Sequence, residues 1–291
     1  MQTRTLSKLI PLVVALCSTE ASFAANVQTF ELQTPSGPYH AEIRERTEGD
    51  ERFLLQKNKK NLLDQVDHNF ALIDPTAKEP NVGYTGSNLP LFDFDGDGTK
   101  DLIVRIWNGG AHCCYTYDIY SLGNRASKIW HFSAGDGHML TMPTNAGGLP
   151  IILIEDSTFR YWGAGVEVMP VVVLRWQPDK IKVGAFKVDM DRQRSGKDKH
   201  PLPSEDEVKR SLKKGFTSVL CDYMLNQYYT GHGKDANKFL ETVWPGNADI
   251  QKMGTAAAFK HDFMKQLTSS PFFDSIESLN HGQVDFQEVK K

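Results

Sequence analysis

The chain has 291 residues, a formal net charge of −3, and 40% hydrophobic against 24% charged residues. That length suffices for one large domain or two small ones with ample core. The mildly acidic balance, with no concentrated basic face, excludes a typical nucleic-acid binder.

The first 24 residues read as a signal peptide. Arg4 and Lys8 form the positive start, Leu9–Leu16 the apolar stretch and Ser22-Phe23-Ala24 a small-x-small cleavage site. A lipid-attachment reading of Cys17 is disfavoured by the bulky Leu16 before it. The apolar stretch is too short to span a bilayer, and no later run is longer. Cleavage after Ala24 removes two cations and one acid, so the formal charge moves from −3 to −4. The expectation is an exported chain, periplasmic or extracellular, that does not span the membrane.

From residue 25 to 188 the pattern is β. Val27–Leu32 and Tyr39–Arg46 alternate apolar and polar residues as half-buried strands do, and Arg52–Gln56 follows the Glu48-Gly49-Asp50 turn. Asp74–Leu89, with two prolines and two glycines, reads as a long loop. Further strands are expected at Leu102–Trp107, Tyr115–Leu122, Lys128–Phe132, Pro150–Ile154, Pro170–Gln177 and Lys180–Phe186. Spacings of about ten residues suggest sandwich- or blade-like antiparallel sheets. Asp189–Pro203 is polar and reads as a linker, its basic run Arg192–His200 as a solvated loop.

The helical segment is expected over 204–291. Ser204 and Glu207 make a capping box, and Val208, Leu212, Phe216, Val219, Leu220, Tyr223 and Met224 recur at helical spacing until Gly231. Lys234–Trp244, Thr255–Leu267 and Phe272–Leu279 carry similar patterns. So few residues bury little alone, which predicts packing against the sheets. The fold class is α+β, an antiparallel β-rich domain followed by helices.

The most informative stretch is Leu89–Cys114. Asp93, Asp95, Asp97 and Asp101 stand at positions 1, 3, 5 and 9 of a loop, and Gly98 follows Asp97. Carboxylates from alternate positions, with the Thr99 main-chain carbonyl at position 7, make an oxygen cage for a hard cation. Calcium suits it better than magnesium. Without a cation, four acids so close repel one another. An EF-hand needs flanking helices and a glutamate at position 12; here the flanks are β-formers and position 12 is Val104.

The D-x-D-x-D-G-x-x-D core resembles the calcium loops of FG-GAP and VCBS-type repeats, found in integrin-α-like propeller blades and in exported bacterial proteins. The resemblance covers roughly 20 residues. It implies a structural calcium between strands, carried by Asp93, Asp95, Asp97, Thr99 and Asp101. There is one good copy, since Asp189-Met190-Asp191 lacks the glycine and the later acid.

Gly109-Gly110-Ala111-His112-Cys113-Cys114 implies a tight turn after the strand that leaves this loop. Its cysteines leave three readings open: a vicinal Cys113–Cys114 bridge, a bridge from one of them to Cys221, or free thiols. The second would close about 107 residues and staple sheet to helix. Asp156–Gly163 is aromatic-rich, and Arg160 and Tyr161, with His112, form a candidate ligand loop, against which stands simple core packing at a strand end. Glu155 and Asp156 are adjacent and diverge on a strand, which weakens an acid-pair reading. His131 and His138 flank Gly135-Asp136-Gly137, read as a polar turn. No G-x-S-x-G, H-E-x-x-H, phosphate loop or dinucleotide fingerprint occurs. The expectation is therefore a binding or scaffold protein with an envelope or extracellular partner. The alternative is a hydrolase or thiol-redox enzyme using His112 with Cys113 and Cys114.

Overall fold

The computed structural model describes residues 26–289, apart from 47–48, 80–82, 87, 111–113, 143–147, 163–168, 180–183, 200, 245–253 and 288. The expected signal peptide, and His112 and Cys113, lie outside the described residues. Twelve described strands form three four-stranded antiparallel sheets, each a meander in chain order. The first holds β1 (Val27–Leu32), β2 (Tyr39–Glu45), β3 (Glu51–Lys57) and β4 (Lys60–Asp67). The second holds β5 (Asn69–Leu72), β6 (Asp101–Trp107), β7 (Tyr115–Leu122) and β8 (Ala126–Gly135). The third holds β9 (Met139–Met142), β10 (Ile151–Glu155), β11 (Val171–Gln177) and β12 (Ala185–Val188). Helices follow: α1 (Met190–Ser195), α2 (Glu205–Lys213), α3 (Ser218–Tyr229), α4 (Gly233–Val243), α5 (Ala256–Leu267) and α6 (Phe273–Leu279).

The second sheet lies between the other two, and the two-residue period of its strands shows why. Leu102 and Val104 of β6 and Tyr120 and Leu122 of β7 join a core with Phe30, Ile43, Phe53 and Leu55 of the first sheet. Ile103, Tyr117 and Ile119 point the other way, into a core shared with Ile152, Ile154, Val172 and Leu174 of the third sheet and with the helices. A strand covered on both faces has no exposed row to make polar, which accounts for the unbroken apolar run Leu102–Val104.

The helices share that larger core through Phe263, Tyr228, Met224 and Leu212, as their small number of residues predicts. The capping box at Ser204 forms in both directions. Three expectations are corrected. The single run to Gly231 is two helices, because Gly215 takes a left-handed φ of 82° between them, and Phe216 there is 52% exposed. Residues 189–203 are not simply a linker. Asp189 caps α1, and Gln193 bonds both Val173 N–H (2.8 Å) and Val171 C=O (3.0 Å), so α1 is fastened to β11. The last strand runs Ala185–Val188, later than expected; residues 180–183 lie outside the described set.

Asp156 ties sheet to helices. It follows β10, is 3% exposed, and accepts bonds from Tyr229 Oη of α3 (2.5 Å), from Ser270 Oγ, and from Thr158 N–H and Oγ1. Burial, then the neighbouring Asp156 charge, holds the Tyr229 hydroxyl protonated far above its ordinary range.

Candidate metal centre

The acidic loop is the bend that delivers the chain into β6. Its neck is a single antiparallel bridge, Phe92 to Asp101, with Asp101 N–H bonded to Phe92 C=O at 2.6 Å. Residues 89–91 upstream of that bridge are not a regular strand, so the expected strand-to-strand bend is a strand only on its exit side. Alternation sets the loop's orientation. Phe94 is fully buried against Phe92 and Phe186, which turns its neighbours Asp93 and Asp95 away from the core. Gly96 and Gly98 sit at φ of 79° and 82°, where an L side chain is strained.

Three of the predicted ligands converge. Oxygens of Asp93, Asp95 and Asp101 all lie within 4.8 Å of one another. Asp93 is fixed by Gly96 N–H (2.7 Å) and Gly98 N–H (2.9 Å), and Asp95 by Asp97 N–H (3.1 Å). Asp97 accepts from Thr99 N–H at 2.6 Å and is not among the three.

Asp101 is the decisive member. It is 1% exposed; Oδ2 accepts from Phe94 N–H at 2.6 Å, while Oδ1 is buried with no hydrogen-bond partner. Burial, reinforced by the charges of Asp95, Asp93 and Asp97, pushes its pKa up to about 8. Asp95 is raised as well, first by burial. A buried carboxylate oxygen without a donor costs on the order of 1–3 kcal/mol or more, and a cation relieves that cost. The donor set is all oxygen, which fits calcium in chemistry. Bound there, the ion would supply positive charge and coordination, while Asp93, Asp95 and Asp101 hold it.

The candidate ligand loop divides. Phe159 is fully buried and packs with Trp162 and Phe263, as core packing requires. Arg160 pairs with Asp136 at 3.3 Å and lies over the Tyr161 ring. Tyr161 itself is 52% exposed at a φ of 63°. Glu155 and Asp156 do diverge: Glu155 accepts from His138 N–H, while Asp156 faces the helices. His131 and His138 part too, since His131 lies within β8 and pairs with Asp118.

Cys221 is a free thiol, fully buried in the helical core, and burial drives its pKa up. The staple from the Gly109–Cys114 turn to α3 is therefore not made. Sequence reasoning missed the partners of Asp118, because Lys128 and His131 meet it only through strand register.

No protein-family model matches the chain, and comparison with curated proteins and with solved structures finds no match. Among the described residues no helix is long and apolar enough to cross a membrane.

Proposed function

We propose that this is an exported binding or scaffold module whose sheets are held in register by one structural calcium in a loop of the FG-GAP/VCBS type. The observation that carries the reading is the buried, unpartnered Oδ1 of Asp101, on a carboxylate that clusters with those of Asp93 and Asp95. The leader pattern of residues 1–24 supports export. Calorimetric titration of chelator-treated mature protein should give one calcium per chain, with Asp95→Ala weakening it at least about 100-fold. A folded chain taking up no calcium at millimolar concentration would sink the proposal.

An oxidised Cys113–Cys114 pair belongs to the same reading. With Cys221 free and buried, the neighbouring Cys113 is the natural partner of Cys114 in an exported chain. Thiol labelling of the denatured mature protein should count one group before reduction and three after. Three before reduction would refute the pair.

A further inference from the structure

Asp118 is a buried carboxylate that the calcium reading does not use. Its side chain is 2% exposed. Oδ1 accepts from His131 Nδ1 at 2.7 Å, and Oδ2 takes Lys128 Nζ at 2.7 Å and Tyr120 Oη at 3.2 Å. Asp118 and His131 are direct cross-strand partners, so backbone register sets the pair rather than the reach of flexible side chains. With Nδ1 committed as donor, the neutral imidazole presents Nε2 as an acceptor.

The ring is 60% exposed and lines a groove of about 430 Å³ between the edge strand β4 and the second sheet. Gln65, Asp67, Asn108 and Thr116 add amide, carboxylate and hydroxyl groups to its walls, and Phe70 and Ile106 an apolar patch. Lys128 is neutralised by Asp118, so an anion gains little there and meets Asp67. A cation has only Asp67 to pair with, and that carboxylate already accepts from His68 N–H at 2.9 Å. What matches interleaved donors and acceptors beside an apolar patch is a ligand of hydroxyl groups on a carbon frame.

We propose that this groove binds a neutral oligosaccharide, His131 Nε2 accepting from one sugar hydroxyl and Thr116 and Gln65 bonding others. The proposal rests on the binding-module reading but not on the acidic loop. A purely structural Asp118, bridging β7 and β8, would leave the groove without a ligand.

The full mature chain should be titrated by calorimetry with cellotetraose, maltotetraose and chitotetraose, while NMR follows the His131 ring nitrogens. Expected are an Nδ1-protonated tautomer, binding of at least one tetrasaccharide at a Kd on the order of 0.1 mM, and a shift of the Nε2 signal. Thr116→Val should weaken binding at least about tenfold at unchanged melting temperature; His131→Phe should weaken it as much while lowering the melting temperature, because Asp118 Oδ1 loses its donor. The proposal falls if none of the three binds at about 10 mM, if both variants bind as wild type, or if the tautomer is Nε2-protonated. It falls too if only a sulfated tetrasaccharide or a lysine-rich peptide binds. Calcium uptake measured on the same samples separates this failure from failure of the loop reading.

Discussion

Calcium at about a thousand times its dissociation constant is expected to stabilise the chelator-treated chain by about 4 kcal/mol through mass action. For a chain of this size that is roughly 10 °C in melting temperature. Asp101→Asn should remove the gain. It should also make the calcium-free protein more stable than wild type at pH 8, because the neutral amide keeps an acceptor for Phe94 N–H without burying a charge. The pH dependence follows in sign. Asp101 has a folded pKa of about 8 against 3.8 for an ordinary aspartate, so the folded state holds its proton longer than the unfolded one. Calcium-free stability should fall as pH rises from about 4 through about 8, at up to about 1.4 kcal/mol per unit. Saturating calcium, which replaces that proton, should flatten or reverse the trend. Thermal scans with and without chelator read all of this; an Asp101→Asn protein retaining the full calcium response would overturn the assignment.

The second large effect is expected at Asp156. Replacing it by alanine takes the carboxylate acceptor from the buried hydroxyls of Tyr229 and Ser270, which as donors keep only their long mutual contact of 3.4 Å. At about 1–3 kcal/mol per unsatisfied buried group, the loss should reach about 3–5 kcal/mol in urea unfolding. Tyr229→Phe, which removes one donor and leaves the carboxylate its other partners, should cost less than half as much. A loss below about 1 kcal/mol for Asp156→Ala would mean that the helices do not depend on this contact.

How much of this was legible in the sequence varied with the physics of each element. β1, β2 and β3 alternate because one face is buried, and the capping box at Ser204 is a local pattern. β4 was missed for a definite reason. Its hairpin turn puts Asn58 and Lys59 at φ of 52° and 62°, a geometry that asparagine-glycine advertises and a lysine conceals. As an edge strand, β4 also has no fully buried row to set an alternation. β9 is four residues long without a β-branched residue except Thr141. Phe216 fitted the helical period, but the period continues through a break that Gly215 alone announces. Within the candidate site, the spacing of Asp93, Asp95 and Asp101 was local and therefore readable. That Asp97 turns to the Thr99 amide instead depends on a backbone geometry that side-chain spacing does not encode. The groove at His131 depends on strand register across 13 residues and on β4, about 50 residues earlier; no local pattern carries it.

The turn between β7 and β8 joins two parts of the molecule through main-chain groups. Leu122 N–H bonds Lys100 C=O at the exit of the acidic loop (2.8 Å), and the next carbonyl, Gly123, accepts from Tyr39 Oη, from Ser36 Oγ (2.8 Å) and from Lys57 Nζ (2.8 Å) of the first sheet. A Cβ at Gly123 would meet only ordinary contacts near 3.8 Å. The docking of the amino-terminal layer is thus indifferent to which side chain stands at position 123. It is tied instead to the path of the backbone there, and so to whatever fixes the shape of the neighbouring acidic loop.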